Sequence, residues 1–406
     1  MKIIYLVHQF VPEHYRGTEK FVLNLAKQMK VLGHEIKVIT MSFYEETFYD
    51  QSFNEILYRE FSYKEVEIIA LKRPERDWKQ LTSEKDLREL AKELLIKEAP
   101  DLVHVSHTIR VAEFVEAIQE LNIPYILTLT DFYLMCPYAI LKKSNGDLCF
   151  GANQTRACLK SCPEFEQEWI GHRYNKSKDI LYGAKTVVAP SKFLGSLFKQ
   201  EYSGLNLEVI NYGVDVEHLK VNKKFYKKED KLTFGYAGSI EQHKGVPLLL
   251  DAFKNLKSNS NSPLLKMYGL GDEGLIQLCR DSENIEYCGV YDETQLGDIF
   301  NQIDALIVPS TWHENRPQVI NEALSCNLPV IASDVGGITD IITNGYNGFT
   351  FKLGNVSNLR NTLQKIITNP TILNSIKKKL DRYANFTVAE EAYSYQQIYL
   401  DIVKNK

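Results

Sequence analysis

No stretch of this 406-residue chain approaches the ~20 consecutive apolar residues needed to cross a bilayer. The opening MKIIYLVHQF has one lysine and an apolar run too short for a signal peptide, and it reads as a first buried strand. A basic excess is also missing. Lys and Arg number 48 against 52 Asp and Glu, a formal net charge of −4, which argues against a dedicated nucleic-acid binder. Internal repeats and low-complexity tracts are absent, as is any Asp-x-Asp pair. Cysteine is sparse and odd in number, seven in all, which fits reduced thiols and not a disulfide framework. The expected location is the cytoplasm, with peripheral contact at the inner face of a membrane left open. What remains is an ordinary globular composition, 44% hydrophobic and 25% charged, in a chain long enough for two domains.

Short apolar runs alternate with amphipathic stretches throughout. Residues 3–7, 36–40, 102–105, 125–130, 186–190 and 207–210 look like buried parallel strands. Helical patterns cover 18–32, 86–98 and 111–121. After residue 230 the alternation restarts with LTFGYAG, LLKMYG, IEYCG, ALIVPS, PVIAS and GFTF. Two such series predict an α/β protein with two doubly wound, Rossmann-like domains. We expect an N-terminal domain at 1–215, a linker at 216–231, a second domain at 232–386 and a terminal segment at 387–406. The linker carries six lysines between 220 and 231, read as solvated, with anionic lipid as the alternative. The terminal helix, 387–403, puts Ala392, Tyr395, Ile398, Tyr399 and Ile402 on one stripe.

The segment from Pro309 to Phe351 is the most informative. Glu314 and Glu322 stand around the start of a short helix with seven residues between them. Pro317 suits the first helical position, and Val319, Ile320, Ala323 and Leu324 give the helix its apolar face. The unpaired backbone N–H groups of a first helical turn suit phosphate. Flanking carboxylates repel phosphate but accept hydrogen bonds from hydroxyls. Phosphate beside hydroxyls describes a nucleotide sugar. In FGYAGSIEQHKGVPLLLDAF a strand ends at Gly238 and a loop carries Lys244 to a helix start, a counter-charge for a diphosphate. Gly269 follows another strand, where glycine permits close backbone approach to a ligand.

Ser310, Glu314, Asn315, Pro317, Glu322, Asp334, Gly336, Gly337, Gly345, Asn347 and Gly348 together resemble the donor-binding signature of the retaining glycosyltransferases of family 4, which have the GT-B fold. The resemblance implies that Glu314 contacts hydroxyls of the transferred sugar and that Glu322 holds the ribose. The amides of Asn315, Arg316, Pro317, Gln318 and Val319 lie in the stretch that faces sugar and diphosphate, although Pro317 has no N–H to give. It further implies that Lys244 grips the diphosphate and that Gly289 and Val290 lie at the base. The terminal helix is then expected to return to the N-terminal domain. One departure is Ser239, where the family usually has Arg; Arg316 could supply that charge or face solvent.

On the N-terminal side, Gly17, Thr18 and Glu19 resemble the family's Gly-Gly-x-Glu turn. Gly17 is a candidate for the donor phosphates, and Glu19 for the acceptor or for a helix cap. His104 and His107 follow a strand with no carboxylate or cysteine nearby in sequence to complete a metal set; His107 is the better match to a cleft position. Asp131 is the candidate catalytic polar group here. Thr130 replaces the histidine that commonly reads a sugar's primary hydroxyl, which points to a different donor sugar. Cys136, Cys149, Cys158 and Cys162 fall within 27 residues, as either a structural zinc site or buried free thiols. The expected function is transfer of a sugar, with retention and without a metal or other cofactor, from a nucleotide sugar to a glycan or lipid-linked acceptor. The catalytic set is Glu314, Lys244 and Asp131. A nucleotide-sugar epimerase and a non-catalytic binding subunit are the alternatives.

Overall fold

A computed structural model describes residues 1–74, 81, 83–254, 256, 262–381, 383 and 385–405. The chain divides into two units, Met1–Tyr212 with Val388–Lys406, and Gly213–Thr387.

The first unit is built on β1 (Lys2–Val7), β2 (Glu35–Met41), β3 (Gln51–Phe53), β4 (Ile56–Tyr63), β5 (Val66–Lys72), β6 (Leu102–Val105), β7 (Tyr125–Thr128), β8 (Thr186–Ala189) and β9 (Leu207–Val209). Their order is β3-β4-β5-β2-β1-β6-β7-β8-β9. From β5 to β9 all neighbours are parallel, and β1 lies between β2 and β6 with Ile3 opposite both Ile36 and Leu102. Strands covered on both faces must be apolar on both faces, and Ile3 to Val7 are all buried. The antiparallel β3, β4 and β5 ladder was not foreseen. Its β4, ILYREFSY, lies between β3 and β5, is mostly half-buried, and breaks its apolar residues with Arg59, Glu60 and Ser62, so it does not read as one of the buried apolar runs.

The terminal helix, Val388–Lys404, belongs to this unit and packs on the helix Gly17–Val31. Its buried face carries Ala392, Tyr395, Ile398 and Tyr399, with Ile402 half-buried. The Tyr399 hydroxyl bonds His104 Nδ1 at 2.6 Å and the Tyr5 hydroxyl at 3.2 Å, while Tyr395 bonds Thr128 Oγ1 at 3.0 Å. No described helix is long and apolar enough to cross a membrane.

The second unit holds β10 (Thr233–Ala237), β11 (Leu264–Tyr268), β12 (Ile285–Gly289), β13 (Ala305–Val308), β14 (Val330–Ser333) and β15 (Gly348–Phe351). They are all parallel in the order β12-β11-β10-β13-β14-β15. Counted within the unit this is 3-2-1-4-5-6, the order whose direction reverses between the first and fourth strands. Ligands in such sheets bind beyond the carboxyl ends of those two strands. Here they are β10 and β13, which lead into the Lys244 loop and the Glu314 loop.

Residues 216–231 lie within the second unit, and the six lysines from Lys220 to Lys231 are exposed, as the solvated reading expects. Asn222 donates to the Phe300 and Ile303 carbonyls, Lys224 pairs with Asp304 at 2.6 Å, and Tyr226 is fully buried. Lys220 and Lys224 reach Asp298 and Asp304 of the second unit, while Tyr226 fills its core.

Candidate functional site

The loop after β13 is fastened at both ends. Thr311 donates its N–H to the His243 carbonyl at 2.9 Å, which ties it to the Lys244 loop. Gly337 donates to the Glu314 carbonyl at 2.7 Å, which ties it to the turn after β14. Both junctions need glycine. A Cβ on Gly245 (φ +77°) would lie 1.8 Å from the Pro309 carbonyl oxygen, and one on Gly336 (φ +57°) 2.5 Å from that of Glu314. Pro317 is the residue just before the helix Gln318–Ser325, one position earlier than the sequence predicts.

These constraints fix the Glu314 carboxylate, which is 6% exposed. Its Oε1 accepts three hydrogen bonds: from Lys244 Nζ at 2.8 Å, Ser310 Oγ at 2.7 Å and Trp312 Nε1 at 2.8 Å. Oε2 accepts none from a described residue. Burial alone would raise the Glu314 pKa, but the Lys244 charge and the three hydrogen bonds outweigh it and hold the carboxyl below its ordinary value. The Lys244 ammonium also lies 4.7 Å from the centre of the Trp312 ring. The result is an ionised carboxylate with one oxygen locked and the other able to accept from a hydroxyl.

Glu322 is buried on the following helix, with Val319 half-buried beside it. Arg316 is half-buried, and its charge reaches Tyr383. Ser239 accepts the Tyr236 hydroxyl on its carbonyl at 2.5 Å, and Gly269 donates to Gly289 at 2.8 Å, where β11 and β12 end. Val290, next in the chain, is 62% exposed.

A second cluster lies in the first unit. His107 Nδ1 accepts from the Ile109 N–H at 3.1 Å, so in the neutral ring Nε2 carries the proton and donates to Asp131 Oδ2 at 2.9 Å. Asp131 Oδ1 accepts from the Tyr133 N–H at 2.8 Å. The His8 ring lies 4.1 Å from that of His107, centre to centre. Burial and the neighbouring positive groups keep His8 neutral, well below its ordinary pKa. The Thr130 hydroxyl donates to the Ser106 carbonyl at 2.9 Å, so its proton is already committed. Glu19 caps the helix that begins at Gly17, accepting the Arg16 N–H at 2.8 Å; of its two expected roles the structure displays the cap.

Two further groups are placed by the structure. His104 is fully buried and bonded through both nitrogens, to Tyr399 and to Thr128 Oγ1 at 2.7 Å, so it anchors the terminal helix. The four clustered cysteines are free thiols, and among the described residues no three His, Cys, Asp or Glu side chains form a metal-binding group. Burial, reinforced by the other three sulfurs, pushes the Cys158 thiol up to about 12. Sequence reading passed over Trp312 and His8 as site residues. Their only signal was position, two residues before Glu314 and one residue after β1.

The glycosyltransferase family 4 profile matches residues 15–218, and that of the glycosyl transferases group 1 matches residues 219–385. The chain belongs to glycosyltransferase family 4. A Salmonella typhimurium lipopolysaccharide 1,2-N-acetylglucosaminetransferase is 25% identical over 51% of this chain and 56% of its own. An Escherichia coli UDP-Gal:alpha-D-GlcNAc-diphosphoundecaprenol alpha-1,3-galactosyltransferase is 25% identical over 50% of this chain and 56% of its own. The chain spans about half the length of the curated relatives it matches. Anabaena HepE, solved with UDP and glucose, superposes with a TM-score of 0.70 at 18% identity, covering 99% of this chain and 100% of that one. That likeness places this family 4 chain among proteins of the GT-B fold.

Proposed function

We propose that this chain is a retaining, metal-independent glycosyltransferase. It moves a sugar from a nucleoside diphosphate sugar to a glycan or lipid-linked acceptor in cell-surface polysaccharide synthesis. The carrying observation is the Glu314 carboxylate, charged and clamped through Oε1 beside Lys244, with Oε2 able to accept from a hydroxyl. A cation next to a hydroxyl-accepting carboxylate, at the reversal point of a doubly wound sheet, suits a sugar attached to a diphosphate. The relatives' names support the substrate class, since one acts on lipopolysaccharide and another on a diphosphoundecaprenol-linked sugar. A lipid-linked acceptor would draw the protein to the inner face of a membrane.

In this reading Lys244 and the backbone N–H groups at the start of the helix Gln318–Ser325 stabilise charge on the departing diphosphate. Glu314 orients the sugar through a hydroxyl, and Glu322 holds the ribose. Retention follows from attack on the face the diphosphate leaves, with a phosphate oxygen taking the acceptor's proton, so no protein nucleophile is assigned. Asp131 and His107 bind hydroxyls on the N-terminal side. The test is a radiolabelled screen of UDP-, GDP- and dTDP-sugars, with and without chelator. Transfer that survives EDTA supports the proposal. Epimer formation, binding without turnover, or loss of activity that Mg²⁺ restores overturns it.

A further inference from the structure

We infer that Trp312 is a positioning residue for the transfer reaction, whose indole N–H keeps Glu314 charged and aimed once Lys244 turns to the donor diphosphate. The inference rests on the transferase reading above. Three groups donate to Glu314 Oε1, and they differ in what else they can do. Lys244 comes from another loop, is a quarter exposed, and carries the charge a diphosphate would attract. A diphosphate bears more negative charge than one carboxylate, so it wins the competition for the ammonium. Glu314 then stays buried with its counter-charge drawn away. A buried carboxylate in that position takes up a proton unless hydrogen bonds hold its charged form.

Ser310 and Trp312 are what remain. Both sit in the same short loop as Glu314, so their bonds do not depend on where Lys244 points. A serine hydroxyl can rotate and accept as readily as it donates, whereas an indole N–H can only donate. Trp312 therefore holds Glu314 in the acceptor role that a sugar hydroxyl requires. Its ring does a second job. With the Lys244 ammonium over its face and His243 edge-on at 4.9 Å between ring centres, it confines the lysine near both the carboxylate and the diphosphate position. Two other titratable groups lie near the carboxylate among the described residues: Tyr236 on β10, whose hydroxyl is held by the Ser239 carbonyl, and His243, which packs against Trp312 and pairs with Glu241 at 3.2 Å. Neither is bonded to Glu314, so neither replaces the indole.

Two variants separate the N–H from the ring. Trp312→Phe keeps an aromatic face for Lys244 and removes the N–H. Trp312→Gln keeps an N–H and removes the ring. The full chain is assayed with the best nucleotide sugar from the donor screen, and kcat is followed from pH 4 to 8, since that profile reports groups in the donor-bound enzyme. We expect Trp312→Phe to lower kcat by about tenfold at pH 7 and to move the acid limb to higher pH, while the dissociation constant for the free nucleoside diphosphate changes less than twofold. Trp312→Gln should leave the acid limb at its parental position. Thermal melting checks that each variant is folded, and Ser310→Ala, which should also raise the acid limb, is the substitute if Trp312→Phe is not. An acid limb that stays fixed in a folded Trp312→Phe, or in Ser310→Ala where Trp312→Phe does not fold, overturns the inference while transfer by the parent stands. No transfer by the parent with any donor overturns the transferase reading and this inference with it.

Discussion

Lys244 Nζ lies 2.8 Å from Glu314 Oε1, although 70 positions separate the two residues in the chain. They meet because β10 and β13 are adjacent and parallel, so their following loops leave the sheet side by side. The contact joins the sugar-facing carboxylate and the diphosphate-facing cation of the proposed reaction before any substrate arrives. It also makes the two residues interdependent, so a change at either one is felt at both.

Replacing Lys244 by Met should therefore destabilise the protein as well as slow it. The lysine is partly solvated, so the loss should be ~1–3 kcal/mol, below that for a fully buried pair. Turnover should fall as the leaving diphosphate loses its counter-charge. The folded-state pKa of Glu314 is depressed below 4.5, so its contribution is complete above about that pH and disappears as pH falls through the lower folded value. Urea midpoints of parent and Lys244→Met should thus differ most at neutral pH and converge as pH falls below 4.5. Adding Glu314→Gln to Lys244→Met should recover part of the loss.

How far the chain could be read beforehand depended on what each feature required. The buried parallel strands were legible because both faces must be apolar, as in IIYLV and ALIVPS. The antiparallel ladder of β3, β4 and β5 was not, because a half-buried strand such as β4 mixes Arg59, Glu60 and Ser62 into its apolar residues. Glu314 and Lys244 were legible as site residues from local motifs, but their direct contact was not, since it arises from strand order. Trp312 was missed for a related reason: its role lies in one N–H direction, which composition does not encode.

The two glutamates should have separable effects. Glu322→Ala should weaken binding of the nucleoside diphosphate by ~1–3 kcal/mol, as a ribose hydroxyl loses its acceptor. Glu314→Ala should depress kcat while nucleotide affinity stays near the parental value. Calorimetry for binding and steady-state kinetics for turnover give the comparison. Two variants with parental kinetics would remove both residues from the donor site.

His104 gives a prediction independent of activity. Burial depresses its pKa from 6.5 to about 3, so the neutral ring favours the folded state. That stability is complete above pH 6.5 and is lost progressively as pH falls toward 3. Tyr399→Phe should cost ~1–3 kcal/mol at pH 7, because His104 Nδ1 loses its only hydrogen-bond partner among the described residues. His104→Gln should flatten the decline between pH 6.5 and 4 in a urea-denaturation series. An unchanged slope would show that other groups govern acid unfolding.

The last prediction concerns sugar selectivity at Thr130. Its hydroxyl proton is spent on the Ser106 carbonyl, so toward a sugar it can only accept. A site that commits both a donor and an acceptor to a hydroxyl rejects analogues lacking that hydroxyl, because its own polar groups are left unpaired. Thr130 already has its bond and loses little when the sugar offers none. The parent should therefore discriminate weakly between a hexose donor and its 6-deoxy counterpart. Thr130→His adds a longer side chain whose ring N–H seeks a partner, and the ratio of kcat/KM values should shift toward the donor with a free 6-hydroxyl, by ~2- to 13-fold for one hydrogen bond of ordinary net strength. A ratio that does not move means that residue 130 does not face the sugar, and the hydroxyl-binding role on that side would then fall to His107 and Asp131.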